Sequence, residues 1–299
     1  RINIVHARSR APAWSCYLSC IITKTKFVTT FHGIYNFSNV FKKFYNSVMV
    51  RSNLIIAGSN YVFNHINKNY GKLINSRKRL LVIFRGINTD YFDNSNITND
   101  KVNKVYSAVN LSSEKFKILL PGRLTRWKGQ EMFIESLKIL KTKFKKENFQ
   151  AIILGSHQGR KVYFKKLIST VEKYDLKKQV FFIQHLSEMP VAYYVSDIVV
   201  SSSIEPEAFG RISVEAQSMR RPIVASNHGG SRETIIDGKS GFLFENNKPE
   251  SLAENLNKLM EMDKDKLQSI GNEGRKNILK KFDVEQMCNS TFSEYKKLI

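Results

Sequence analysis

A chain of 299 residues, 42% of them hydrophobic, is long enough for two packed domains and too apolar to be generally disordered. No apolar run approaches the roughly 18–20 residues of a membrane-spanning helix, and three sparse cysteines argue against a disulfide scaffold and for a reducing compartment. The formal net charge of +22 predicts attraction to anions, whether nucleic acid, acidic lipid or phosphorylated substrates, with a general lysine and asparagine bias as the plain alternative.

The chain opens on "RINIVHARSR", which lacks the apolar centre of a signal peptide. It reads as a strand already under way (2–7), so upstream sequence is expected to be missing. Further apolar runs at 26–33, 53–59 and 80–86 read as strands, and helical periodicity separates them at 11–20, 40–50 and 60–70. The polar, turn-rich stretch 88–100 is a candidate linker. A second series places strands at 116–122, 150–156, 179–184, 197–203, 222–226 and 241–244. Helical patterns lie between them at 130–145, 161–174, 187–195 and 212–219, and from Pro249 onward the chain reads as helical. Continuous apolar strands alternating with helices mean parallel sheets covered on both faces. Two such series predict an α/β protein of two Rossmann-like, doubly wound domains. The expected borders are 1–112, 113–282 and a closing helix at 283–299. With only four strands, the first domain is expected to be incomplete.

In such sheets ligands bind at the carboxyl ends of the strands. Three strand ends carry chemistry. After the strand at 197–203 comes "EPEAFGRISVEA", where Pro206 and Gly210 keep the loop out of helix and a helix resumes near Arg211. A helix start offers unpaired N–H groups and partial positive charge, a site for phosphate. Glu207 and Glu215 cannot meet phosphate, but a carboxylate accepts well from hydroxyls. A ligand with central phosphates and hydroxyl-rich sugars at both ends suits the pair. The plain alternative is an exposed loop acid and an acid that favours the helix start. In "PGRLTRWKG", after the strand at 116–122, Gly122 and Gly129 permit tight turns. Arg123 and Lys128 could reach one diphosphate and stabilise its growing charge, or form a solvated basic loop. "HARSR" brings His6, Arg8 and Arg10 to a strand end, able to meet an acidic acceptor or to form a polar loop. Cys16 and Cys20 read as packing residues. The "DKD" at 263–265 sits between helices rather than at a strand end, so no metal site is expected.

Together "GRLTRWKG", "EPEAFGRISVEA" and "PIVASNHGGSRETIIDGKSGFLF" resemble the donor domain of family-4 glycosyltransferases. The first half, with "FVTTFHGIYNF" and "VIFRGINTDYF", is similar to that family in order and spacing. The resemblance implies the GT-B fold, two such domains facing across a cleft, and a closing helix that crosses back to the acceptor-side N-terminal domain. It implies sugar transfer from a nucleoside-diphosphate sugar with retained configuration, without metal or other cofactor. By the same resemblance Arg123 and Lys128 bind the diphosphate and Glu215 the ribose hydroxyls. Glu207 holds the donor sugar, and Phe209, Gly210 and Arg211 present backbone N–H groups. His32 faces the sugar, and Gly155 lets the nucleotide approach the sheet edge. The family's N-terminal glycine-rich loop has no counterpart here. The acceptor is expected to be a carbohydrate or lipid-linked glycan of the cell envelope, such as lipopolysaccharide, handled in the cytoplasm. The basic, amphipathic stretch "NVFKKFYNSVMVR" is a candidate for peripheral contact with an anionic membrane, or a core-facing helix with a wet basic side. The rivals are a nucleotide-sugar epimerase on the same fold, an inactive fold partner, and a nucleic-acid binder. No recognisable nucleic-acid module is present and such a binder would not explain the two glutamates, so no nucleic-acid partner is expected.

Overall fold

The computed structural model of the chain describes residues 2–75 and 79–299. By packing, the chain divides into two compact units. The first holds the described residues up to Ile87, with Glu207–Phe209 and Lys281–Ile299; the second holds Asn88–Pro206 and Gly210–Lys280.

The first unit runs β1 (Ile4–Ala7), α1 (Arg10–Thr23), β2 (Lys26–Phe31), α2 (Val40–Asn46), β3 (Leu54–Ala57), α3 (Asn60–Tyr70) and β4 (Arg79–Val82). Its four strands are all parallel, in the order β1-β2-β3-β4. Val28, Leu54 and Ile55 are fully buried, as strands covered on both faces require. Ser59 starts α3, its hydroxyl accepting from the Val62 amide at 3.1 Å. The strand expected at 80–86 stops at Val82 because the chain there turns onto the closing helix. A Cβ on Gly86 would lie 2.5 Å from Val284 Cα, and Ile87 bridges to Asp283.

The second unit begins with a helix that the periodicity reading left out, α4 (Asn99–Val109). It continues through β5 (Phe116–Pro121), α5 (Gln130–Thr142), β6 (Phe149–Leu154), α6 (Lys161–Lys173), β7 (Val180–Ile183), α7 (Met189–Tyr194) and β8 (Ile198–Ser201). Then follow α8 (Arg211–Ser218), β9 (Ile223–Ser226), α9 (Ser231–Thr234), β10 (Phe242–Phe244), α10 (Pro249–Met260) and α11 (Lys264–Lys281). The last helix, α12 (Val284–Lys296), belongs to the first unit, where Glu294 pairs with Arg79 at 2.8 Å.

The second sheet is parallel throughout, in the order β10-β9-β8-β5-β6-β7. From β5 the chain winds outward through β6 and β7, then returns to the other side of β5 with β8. The winding direction therefore reverses between β5 and β8, the switch point at which open α/β sheets bind ligands.

The packing border falls at Ile87 rather than at the expected 112. Residues 88–112 are tied into the second unit by Asp93, which pairs with Arg275 at 2.6 Å, and by Lys101, which pairs with Glu188 at 2.6 Å. The buried Arg275 also donates to the carbonyls of Thr89 and Phe92, so the stretch expected to be a linker is anchored backbone. No helix among the described residues is long and apolar enough to cross a membrane.

Candidate functional site

The loops leaving β5 and β8 are stitched together. The Ser202 hydroxyl donates to the carbonyls of Lys128 (3.1 Å) and Gly129 (3.2 Å), and the Ile204 amide donates to Trp127 O at 2.8 Å. Gly129, at φ 72°, is needed twice over, because a Cβ would also lie 1.9 Å from Ser202 O. The basic loop is thereby held against the segment that launches α8.

Over Gly122 the two converge. The position of a Cβ there is 3.7 Å from Lys128 Cδ and 3.8 Å from Ile212 Cδ1 in the first turn of α8. Lys128 is half-buried, with its ammonium 4.4 Å from the centre of the Trp127 ring. Arg123 is exposed, and its carbonyl accepts from Gln130 Nε2 at 2.9 Å. The start of α8 has no side-chain cap; Gly210 precedes it at φ 85° and abuts the start of α9, 3.4 Å from the Ser231 amide nitrogen to a Cβ position. The first turn of α8, which no side chain caps, thus lies close to the Lys128 stem. Gly155 acts differently from expectation. A Cβ on it would lie 1.9 Å from Gly122 O, so this glycine makes room for the protein's own loop.

Glu215 is buried one turn into α8, and both carboxylate oxygens are engaged. Oε2 accepts from the Tyr193 hydroxyl at 2.7 Å, and Oε1 accepts from Arg211 Nε at 2.5 Å. Each oxygen keeps lone-pair capacity for a ligand hydroxyl. Arg211, expected only to present its backbone N–H, thus also pairs with Glu215 through its side chain. Tyr193, fully buried on α7, was missed by sequence reasoning. Its distance in sequence from Glu215 hides the pairing, and only the aromatic-rich end of that helix marked it.

Glu207 and Phe209 fall in the first unit. Between them the Ala208 carbonyl accepts from the Ser59 hydroxyl at 2.5 Å, and the buried Phe209 ring packs edge-on against Phe282 at 5.8 Å. Phe209 is thus an anchor through its side chain. His32 follows the last residue of β2, with its pKa lowered to about 4, first by burial and then by Arg85 and Arg8. His6 lies within β1 and has the same lowered value, about 4, from burial, Arg8 and His32. Its Nδ1 meets the Tyr295 hydroxyl at 2.5 Å and its Nε2 the Thr30 hydroxyl at 2.7 Å. Both nitrogens are spent inside the unit, which corrects the expectation that His6 is available to an acceptor. Arg10 is likewise engaged, donating to Asn46 Oδ1 at 2.8 Å and stacking 4.4 Å over Tyr35. Arg8 is exposed. Among the described residues no group of three or more His, Cys, Asp or Glu is placed to hold a metal ion.

Known proteins resemble the chain in sequence and fold. Residues 103–277 match the family described as glycosyl transferases group 1, and residues 1–91 match glycosyltransferase family 4. The capsular polysaccharide biosynthesis glycosyltransferase CapM of Staphylococcus aureus is 26% identical over 234 residues, covering 74% of this chain and 58% of that protein. A D-inositol 3-phosphate glycosyltransferase of Paenarthrobacter aurescens is 32% identical over 148 residues, or 49% of this chain and 36% of its own length. The chain thus spans less than two thirds of these relatives. Among solved structures, a glycosyltransferase from Rickettsia africae superposes with a TM-score of 0.89 at 36% identity, over 99% of this chain and 76% of that one. Anabaena HepE, solved in complex with UDP-glucose, shares the fold with a TM-score of 0.86 at 23% identity, over 99% of this chain and 79% of its own.

Proposed function

Because the chain belongs to the group 1 glycosyl transferases, with a family-4 first part and the GT-B fold class, we propose that it moves a sugar from a nucleoside-diphosphate sugar to an acceptor hydroxyl. The observation that carries this reading is the meeting of Lys128, Gly122 and the uncapped start of α8 at the β5/β8 switch point, with the buried Glu215 one turn further along. A diphosphate seated there gains negative charge as its bond to the sugar breaks. Lys128, Arg123 and the N–H groups of α8 answer that charge more strongly in the transition state than before it. Glu215, oriented by Tyr193, accepts from the ribose hydroxyls. Glu207 holds the hydroxyls of the transferred sugar. The acceptor attacks from the face that the diphosphate leaves, which retains configuration, and the fixed cations do the work without a metal.

CapM's role in capsule synthesis supports a cell-envelope glycan as the acceptor, and UDP-sugars are the first donors to try, given HepE. The test is a thermal-shift screen across nucleoside diphosphates. A ligand at a hundred times its Kd stabilises by about 2.7 kcal/mol through mass action, a rise of several degrees for a domain of this size. No shift with any nucleoside diphosphate would defeat the reading. Nucleotide release that requires an added acceptor separates transfer from epimerisation.

A further inference from the structure

A cavity of about 500 Å³ lies within the first unit, between the loop that follows β2 and one flank of α3. The loop gives Asn36 and Phe37; the helix gives Tyr61, Asn64, His65 and Lys68, with Asn69 at the end. These helix positions follow the i, i+3, i+4, i+7 spacing of a single stripe. Val62, Ile66 and Tyr70 form the buried stripe of the same helix. A polar stripe of this kind ordinarily faces open water. Here the loop walls it into a space within the roughly 300–1,000 Å³ of small-molecule sites.

The lining has a distinct chemistry. Three side-chain amides can each accept and donate, which suits groups that do both, namely hydroxyls. Two aromatic rings, Phe37 and Tyr61, offer flat apolar faces of the kind that receive the C–H face of a sugar ring. Phe37 is held in place by an edge contact with Tyr70 at 6.0 Å and by the Lys43 ammonium 5.1 Å from its centre. His65 Nδ1 lies 3.3 Å from Asn69 Nδ2, which makes Nδ1 the acceptor and leaves the proton on Nε2. That Nε2 is buried, so His65 shapes the wall of the cavity and offers it no free nitrogen. Among the described residues no carboxylate lines the cavity and Lys68 is the lining charge, with Lys43 near the Phe37 end.

From this placement we propose that the cavity is a saccharide site for a sugar unit bearing an anionic group, with the ring on Phe37 or Tyr61, its hydroxyls among the asparagines, and its acid at Lys68. Its use as an anchor for the acceptor glycan rests on the transferase reading; the binding itself does not.

The experiment titrates glucuronate, glucose and inorganic phosphate into isotopically labelled protein, with UDP in a parallel series. Backbone amide shifts are followed at 36–37 and 61–69. Glucuronate is expected to move these amides and saturate, glucose to bind several-fold more weakly, and phosphate not to displace glucuronate. Lys68→Ala and Asn64→Ala, both at exposed positions, should each weaken glucuronate about tenfold and leave UDP affinity unchanged. Phosphate binding as tightly as glucuronate would reduce the site to a bare cation and overturn the proposal. So would the absence of any saccharide response, or variants that bind glucuronate like the parent. Saccharide binding without UDP binding would keep the groove and remove the donor-site reading; UDP binding alone would do the reverse.

Discussion

Replacing Lys128 with methionine removes a charge while keeping most of the stem. The stem matters, since Lys128 Cδ and Cε lie 3.7 and 3.8 Å from the Cβ position of Gly122. The folded state loses, among its contacts, the ammonium over Trp127 at 4.4 Å, which is worth about 0.5–1 kcal/mol at a partly exposed site. At roughly 2–4 °C per kcal/mol for a domain of 150–250 residues, the loss of that ring contact lowers the melting temperature by about 1–4 °C. Catalysis should lose far more. A preorganised group that answers transition-state charge contributes about 3–4 kcal/mol, so kcat should drop between a hundredfold and a thousandfold. Donor KM should move less, because the charge that Lys128 meets grows as the bond breaks. The assay is initial-rate nucleotide release at saturating donor, run beside a thermal melt of the same preparation. A folded variant with kcat within about threefold of the parent would refute the assignment of Lys128 to the leaving diphosphate.

Three further outcomes are expected. Tyr193→Phe deletes the 2.7 Å bond to Glu215, a hydrogen bond to a charged group worth about 1.5–3 kcal/mol, so stability falls and donor KM rises while kcat changes little; an unchanged KM would separate Glu215 from donor binding. Gly155→Ala drives a methyl to 1.9 Å from Gly122 O, which should displace the β5 loop, cost about 1–3 kcal/mol and weaken UDP in calorimetry; parental UDP affinity would show that the loop does not shape the site. His6 and His32 both have folded pKa values of about 4 against an ordinary 6.5, so between those values the unfolded chain binds protons that the folded chain refuses. Stability should therefore fall as pH drops from 6.5 toward 4, and His6→Gln should flatten that fall in denaturant titrations; an unaltered slope would show that His6 is not titrating on unfolding.

Much of the fold was legible because buried parallel strands are written as unbroken apolar runs, and those runs need no tertiary knowledge to find. The helix α4 was harder. Val102, Val105 and Tyr106 stand at helical spacing, but they follow "NTDYFDNSNITND", whose turn residues pull the reading toward a linker. What holds that stretch in place is Arg275, more than 180 residues away, and no local pattern announces such a partner. The domain border was misplaced for the same reason.

The candidate site shows the limit more sharply. Strand ends can be located from sequence, but which ends are neighbours depends on strand order. Only the adjacency of β5 and β8 turns two separate motifs into one place, with Lys128 beside the first turn of α8. The glycines make the same point at the scale of an atom. A glycine after a buried strand signals that something approaches closely, without saying what. At Gly155 the visitor is the carbonyl of Gly122, and at Gly129 it is the carbonyl of Ser202. Gly155 was expected to admit a nucleotide and Gly129 to permit a turn, and at both the space is filled by the chain itself. Their work is to bring the loops together so that a helix start and a lysine share one site, and that arrangement depends on backbone contacts that no side-chain motif encodes.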